Sequence, residues 1–273
     1  MAAEEMPPGG RGRTPLDPAV VRSSILAHPP WRDVQVLGST SSTNDVVADA
    51  ARAGAGEGLV VVADEQRAGR GRLDRSWVSP PRAGLTLSVL LRPAVVPERW
   101  PWLPLVAGVA AARSLGAVSG LDVRLKWPND LLVRGAKVGG LLAEVTAGAV
   151  VVGLGVNVTT TRQELPRADA TSLSIELGRS DLDRGALLAD LVVGLGGAYL
   201  GWSRTGGDPA GPRAAYRAVC DTIGSAVTVG LPDGAVLRGR AVDVDVQGRL
   251  VVESATGLTA LSAGDVTHVR PDA

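Results

Sequence analysis

Residues 122–158 read DVRLKWPNDLLVRGAKVGGLLAEVTAGAVVVGLGVNV. Three runs in this stretch, DVRLKW, KVGGLLAEVT and AVVVGLGVNV, have the length and β-branched content of strands. A PND turn and a short hairpin at RGAK separate the first two. Strands this close together in sequence build one main sheet. Gly139-Gly140 inside a strand signals close approach by a ligand or another backbone.

Working outward, residues 98–120 predict a helix whose prolines are confined to its start. Upstream, GLTLSVLLRP, LVVVADEQ and WRDVQVLGS read as strands. Asp17-Pro18 caps a short helix running to about His28, and Ser42 or Thr43 caps another over NDVVADAARA. Downstream, helical patterns fall around 169–178 and 182–203, followed by a connecting segment to about Tyr216. The last ~50 residues alternate apolar and polar at period two, broken by LPDG, VQG and ATG turns. They predict about five short strands, the size of an SH3-like barrel. The expected organisation is a disordered tail over 1–15, an α/β (α+β) domain over 16–218 with one mixed sheet flanked by helices, and a small β domain over 219–273.

Composition bounds the function. Net charge is zero, which argues against extended nucleic acid or an anionic membrane as the main partner. No apolar run approaches the roughly 20 residues of a membrane span, and the start lacks a secretory h-region, so a cytoplasmic location is expected. Cys220 is alone, which leaves no disulfide framework. Two lysines and three asparagines stand against abundant Arg, Ala, Gly and Val, the mark of a GC-rich coding background. Lys126, Lys137, Asn44, Asn129 and Asn157 are then candidates for chemically required positions.

The only histidines, His28 and His268, sit near opposite ends of the chain, so a Cys–His or Ser–His machine is not expected. No P-loop or strand–GxGxxG–helix fingerprint occurs. The stretch GRGRLDRSW, 69–77, instead concentrates arginines on a glycine-rich loop. Gly69 and Gly71 let backbone N–H groups approach an anion, and Arg70 and Arg72 offer forks for phosphate or carboxylate. Trp77 gives a flat face for a purine. A solvated turn or an RG-type nucleic-acid contact is the competing reading. Ser42, Thr43, Asn44 and Gln66 offer hydroxyl and amide groups to a neutral polar ligand, and Lys126 and Lys137 are compact charges for a ligand oxygen. Asp130 suits a hydrated Mg²⁺ beside phosphates.

STN (42–44), EQRAGRGRLDRSW (65–77), KWPNDLLVRGAKVGGLLAE (126–144) and VVGLGVNV (151–158) together resemble, in order and spacing, the catalytic domain of biotin protein ligases. The resemblance covers about residues 35–270. It implies a class II synthetase-like domain followed by an SH3-like one. With only 41 residues before Ser42, it implies a monofunctional enzyme without the winged-helix repressor domain of bifunctional relatives. It also implies the reaction: biotin and MgATP give biotinyl-5′-AMP, and a lysine of a biotin carboxyl carrier domain of an acyl-CoA carboxylase then takes the biotinyl group. Carried over by motif, Ser42, Thr43, Asn44, Gln66 and Gly139 line the biotin site, and Arg70, Gly71 and Arg72 form a closing loop. Lys137 contacts the carboxylate and α-phosphate. Trp77, Lys126, Asn129, Asp130 and Asn157 serve the nucleotide, with Asp130 toward the metal. Leu73-Asp74 departs from the basic or His residue and Gly common in relatives, making the loop less basic there. A lipoate-type acyl-adenylating ligase is the alternative that shares the fold.

Overall fold

The run Ala149–Asn157, β9, is buried at every position, as expected of a strand covered on both faces. A computed structural model describes residues 12–73 and 75–268. β9 is the middle strand of a seven-stranded sheet that also contains β1 (Asp33–Leu37), β2 (Leu59–Ala63), β5 (Gly84–Leu91), β6 (Val123–Lys126), β7 (Asp130–Val133) and β8 (Ala136–Thr146). Their order is β1-β2-β5-β9-β8-β7-β6. β1 and β2 run parallel, and every other neighbouring pair is antiparallel. β3 (Gly69–Arg70) and β4 (Ser76–Trp77) form a separate two-residue hairpin in the arginine stretch. The sequence reading missed β7, because DLLV is short and its turn residues dominate the pattern.

Helix α2 (Thr43–Arg52) covers one face of the sheet. Ser42 caps it, its hydroxyl accepting from the Asp45 N–H at 3.4 Å. Val47 and Ala51, four residues apart on one helix face, pack on Leu59, Val61, Leu90, Ala149 and Val151. The larger core gathers α1 (Pro18–Leu26), α3 (Leu103–Ser119) and α5 (Arg184–Arg204) with the even-numbered β9 residues Val150, Val152, Leu154 and Val156. Leu115 and Leu188 there have no exposed surface, and each such burial is worth about 1.5–3 kcal/mol.

Against the expectation of no membrane-length run, Pro97–Ser119 and Arg184–Arg204 are long and apolar enough by length and composition to cross a membrane. The first begins as a 3₁₀ turn over Pro97–Trp102. Both pack in the large core, which explains their composition. The pattern expected at 169–178 narrows to α4 (Leu173–Leu177), and the expected connection to Tyr216 is in fact a helix, α6 (Ala210–Val219). Only Tyr216 of α6 is buried, so its apolar stripe is too thin to read.

β10 (Ala226–Gly230), β11 (Val236–Val244), β12 (Leu250–Ser254), β13 (Gly257–Leu261) and β14 (Asp265–His268) form a five-stranded antiparallel sheet in the order β13-β12-β11-β10-β14. It docks through tryptophans of the first unit. The Trp102 indole donates to the Val246 carbonyl at 2.9 Å, and the Trp127 indole to that of Gly248 at 3.4 Å. Most of the tail expected at 1–15 lies outside the described residues. Its end is docked rather than free: Arg13 donates to both Glu164 carboxylate oxygens and to the Thr159 carbonyl.

Candidate active site

Alternate residues of a strand share a face. Along β9, Ala149 and Val151 fill the α2 side, and Gly153 and Gly155 then leave that same side bare. Their cross-strand partners are Ser88 and Thr86 on β5 and Leu142 and Gly140 on β8. The result is a trough floored by glycine, just beyond the end of the apolar α2 contact. A Cβ on Gly153 would fall on the Asn44 carboxamide, and one on Gly155 on the Trp77 indole. These two side chains therefore lie directly on the bare floor.

The first wall is neutral and polar. Thr43 donates from its backbone N–H (2.9 Å) and its hydroxyl (3.1 Å) to the Gln66 side-chain oxygen. The Ser88 hydroxyl lies within hydrogen-bond reach of Thr43 Oγ1 and Asn44 Oδ1, and the Asn44 amide donates to Glu144 at 2.6 Å. Ser42, Thr43, Asn44 and Ser88 are all buried. Buried hydroxyl and amide groups held this way present fixed donors and acceptors to an uncharged polar ligand.

The second wall is charged. A β-bulge between Leu131 and Leu132 sets two steps of β8 against one of β7. That extra residue reverses the side-chain parity. Lys137 thereby joins the face of Gly140, its ammonium 3.4 Å from where a Gly140 Cβ would stand, while Val138 points into the core. Lys137 Nζ donates to Asp130 at 2.5 Å and lies 5.9 Å from the centroid of the Trp77 ring. The Trp77 indole nitrogen is buried without a partner among the described residues. Lys137, Asp130 and Trp77 thus meet at one end of the trough.

The arginine hairpin lies across both walls, with Arg70 beside the Asn44 wall and Arg72 toward the Asp130 end. Arg70 donates to Asp45 at 2.6 Å and to Glu144 at 3.2 Å. The Arg72 guanidinium reaches toward the Gly264 carbonyl at 3.5 Å. Burial pushes its pKa below the ordinary value, against the pull of Asp130 and Asp265, and a guanidinium stays charged regardless. Gly71 donates its N–H to the Arg75 carbonyl, which folds the hairpin back on itself.

The other candidates have different contacts, although Asn129 and Lys126 still border the Lys137–Asp130 pair. Gly139 pairs with Val156 on the core-side face; Gly140 is the one that faces the trough. Asn129 donates to the Leu141 carbonyl at 2.7 Å and accepts from its N–H, tying the turn. Asn157 donates to the Thr171 carbonyl at 3.0 Å, fixing the end of β9. Lys126, at the end of β6, pairs across the strands with Asp130, and its charge bears on Asp169, Asp265 and His268. Among the described residues no group of three His, Cys, Asp or Glu side chains could hold a metal ion. Sequence reasoning missed Ser88, Glu144, Asp45 and the glycine floor. The alternation in VVVGLGVN was the available signal for the floor.

An α/β sheet carrying this site, followed by a small β unit, is the architecture of a class of protein ligases. The model of the biotin/lipoate A/B protein ligase family matches residues 36–160, and that of the biotin protein ligase C-terminal domain matches 222–269. The chain is 42% identical to the biotin–[acetyl-CoA-carboxylase] ligase of Mycobacterium tuberculosis, over 95% of this chain and 98% of that one. It superposes on biotin protein ligase from Aquifex aeolicus in complex with biotin and ATP, with a TM-score of 0.74, 25% identity, and coverage of 88% of this chain and 100% of that one. The enzyme from Leishmania major in complex with biotinyl-5-AMP gives a TM-score of 0.60 at 28% identity, covering 86% and 100%. The chain belongs to the biotin protein ligase family, and is a ligase.

Proposed function

We propose that this ligase activates biotin with ATP as biotinyl-5′-AMP and transfers the biotinyl group to one lysine of a biotin carboxyl carrier domain. The observation that carries the reading is the pairing of a buried neutral wall with a lysine at the far end of one glycine-floored trough. Ser42, Thr43, Asn44, Gln66 and Ser88 suit the ureido ring, which has donors and an acceptor but no charge. Lys137 then stands where the carboxylate would meet the α-phosphate.

In the first half-reaction a carboxylate oxygen attacks the α-phosphorus and pyrophosphate leaves. Negative charge gathers on the phosphoryl oxygens, and fixed cations aimed there lower the barrier. Lys137 and Arg72 serve that role, with Trp77 covering the adenine side. Asp130 alone suits a mostly hydrated Mg²⁺ that arrives on the ATP phosphates. In the second half-reaction the carrier amine attacks the acyl carbon, AMP departs and the amine loses a proton. The nucleophile belongs to the partner, which fits a site without histidine. The 69–77 hairpin keeps water from the anhydride. In the same reading, residues 16–218 form the catalytic domain and 219–273 the C-terminal one, and the enzyme works in the cytoplasm beside its carrier.

Pyrophosphate–ATP exchange tests the first half. Exchange should require biotin and magnesium, and lipoate should not replace biotin. Equal exchange with lipoate would move the protein to the lipoate side of the family.

A further inference from the structure

The hairpin over the site is held from the other unit of the molecule. Arg75, two residues before Trp77, makes a two-pronged ion pair with Asp265 at the start of β14, Nη1 lying 3.2 Å from Oδ1 and Nη2 meeting Oδ2. Next to it, Arg72 reaches toward the carbonyl of Gly264. Two successive residues of one turn of the C-terminal sheet thus hold two arginines of the hairpin, 190 positions or more away in sequence. The turn itself is rigidly placed. Val266 pairs with Val229 across β10–β14, and a Cβ on Gly264 would run into the Val229 side chain. The Arg75 hydrogen bond holds the Asp265 carboxyl below its ordinary range.

Resting on the ligase reading above, we infer that Asp265 is a positioning residue: through Arg75 it latches the arginine hairpin shut over the activated intermediate, so that the C-terminal sheet helps retain the adenylate until the carrier arrives. Asp265 touches neither substrate in this account. Its charge acts on Arg75, and through Arg75 on how long the hairpin stays closed. Both partners of the pair are about half exposed, so the latch is weak enough to release. An exposed ion pair of this kind shifts an equilibrium by a few-fold, about two- to fivefold at most, which suits a gate that must open in every turnover.

The test uses the full-length protein as wild type, Asp265→Asn, Arg75→Gln, the double variant, and the charge swap Arg75→Asp/Asp265→Arg. Three quantities are read: adenylate synthesis, escape of adenylate (by labelling of bystander lysines when no carrier is present), and tryptic cutting of the hairpin without substrates. Each single variant should raise escape by about two- to fivefold and speed cutting, with little change in synthesis. The double variant should be no leakier than either single one, because the second change has nothing left to break. The swap should restore retention. Unchanged escape in the single variants, or effects that multiply in the double variant with no rescue by the swap, would overturn the latch. A wild type that makes no adenylate would refute the ligase reading itself. The tryptic arm reports the latch independently of activity.

Discussion

The ammonium of Lys137 lies 2.5 Å from the carboxylate of Asp130, across the bulged pairing of β7 and β8. Without the bulge, Lys137 would point into the core and the pair could not form. The pair is partly exposed, so the ammonium is open to a competing anion. Lys137→Ala should therefore leave the fold intact by circular dichroism and slow adenylate formation about 10²–10³-fold, the usual cost of losing a donor to developing charge. Near-normal synthesis in the purified variant would remove Lys137 from the chemistry.

The two glycines of the floor should separate the two ligands. Gly153→Ala places a methyl on Asn44, and Gly155→Ala places one on the Trp77 indole. Overpacking of this kind costs about 1–3 kcal/mol. Calorimetry should show weaker biotin binding chiefly in the first variant. Pyrophosphate exchange should show a raised KM for ATP chiefly in the second. Equal damage to both ligands in both variants would contradict the assignment of the walls.

Arg13 fastens the N-terminal segment to the loop that follows β9. Both members of its pair with Glu164 are largely buried, and hydrogen bonds to charged groups are worth about 1.5–3 kcal/mol. Arg13→Ala should lower stability by that order in urea titration. No change in the midpoint would mean that the segment contributes nothing to the fold.

His268 makes a 3.0 Å hydrogen bond with Thr222, and burial, helped by the Lys126 charge, lowers its pKa. The unfolded chain then takes up this proton first as pH falls. Stability should decline as pH drops through the ordinary imidazole range near about 6.5, and level off below the folded pKa. Urea midpoints across that range should show the decline in the wild type and lose it in His268→Gln. An identical profile in the variant would assign the effect elsewhere.

Much of this was legible in the sequence, for physical reasons. β9 and α2 announce themselves through an unbroken apolar run and through a cap followed by apolar residues four apart. The alternating C-terminal strands follow from period-two patterning and turn residues. The short charged and glycine motifs led to Thr43, Asn44, Gln66, Arg72, Trp77 and Lys137, which the fold brings to one trough. What stayed hidden depends on pairing. Gly140 rather than Gly139 faces the site because register sets the face. Ser88 joins the polar wall only because β5 lies beside β9. Asn129 and Asn157, read as serving the nucleotide, each donate a hydrogen bond to a backbone carbonyl. The Arg75–Asp265 contact joins segments that no local pattern relates.

The most direct test is the intact mass of a biotin carboxyl carrier domain after incubation with this protein, biotin and MgATP. The predicted result is the gain of a single biotinyl group on one lysine, dependent on ATP and absent when lipoate replaces biotin. A carrier that keeps its original mass, or gains as much from lipoate as from biotin, would contradict it.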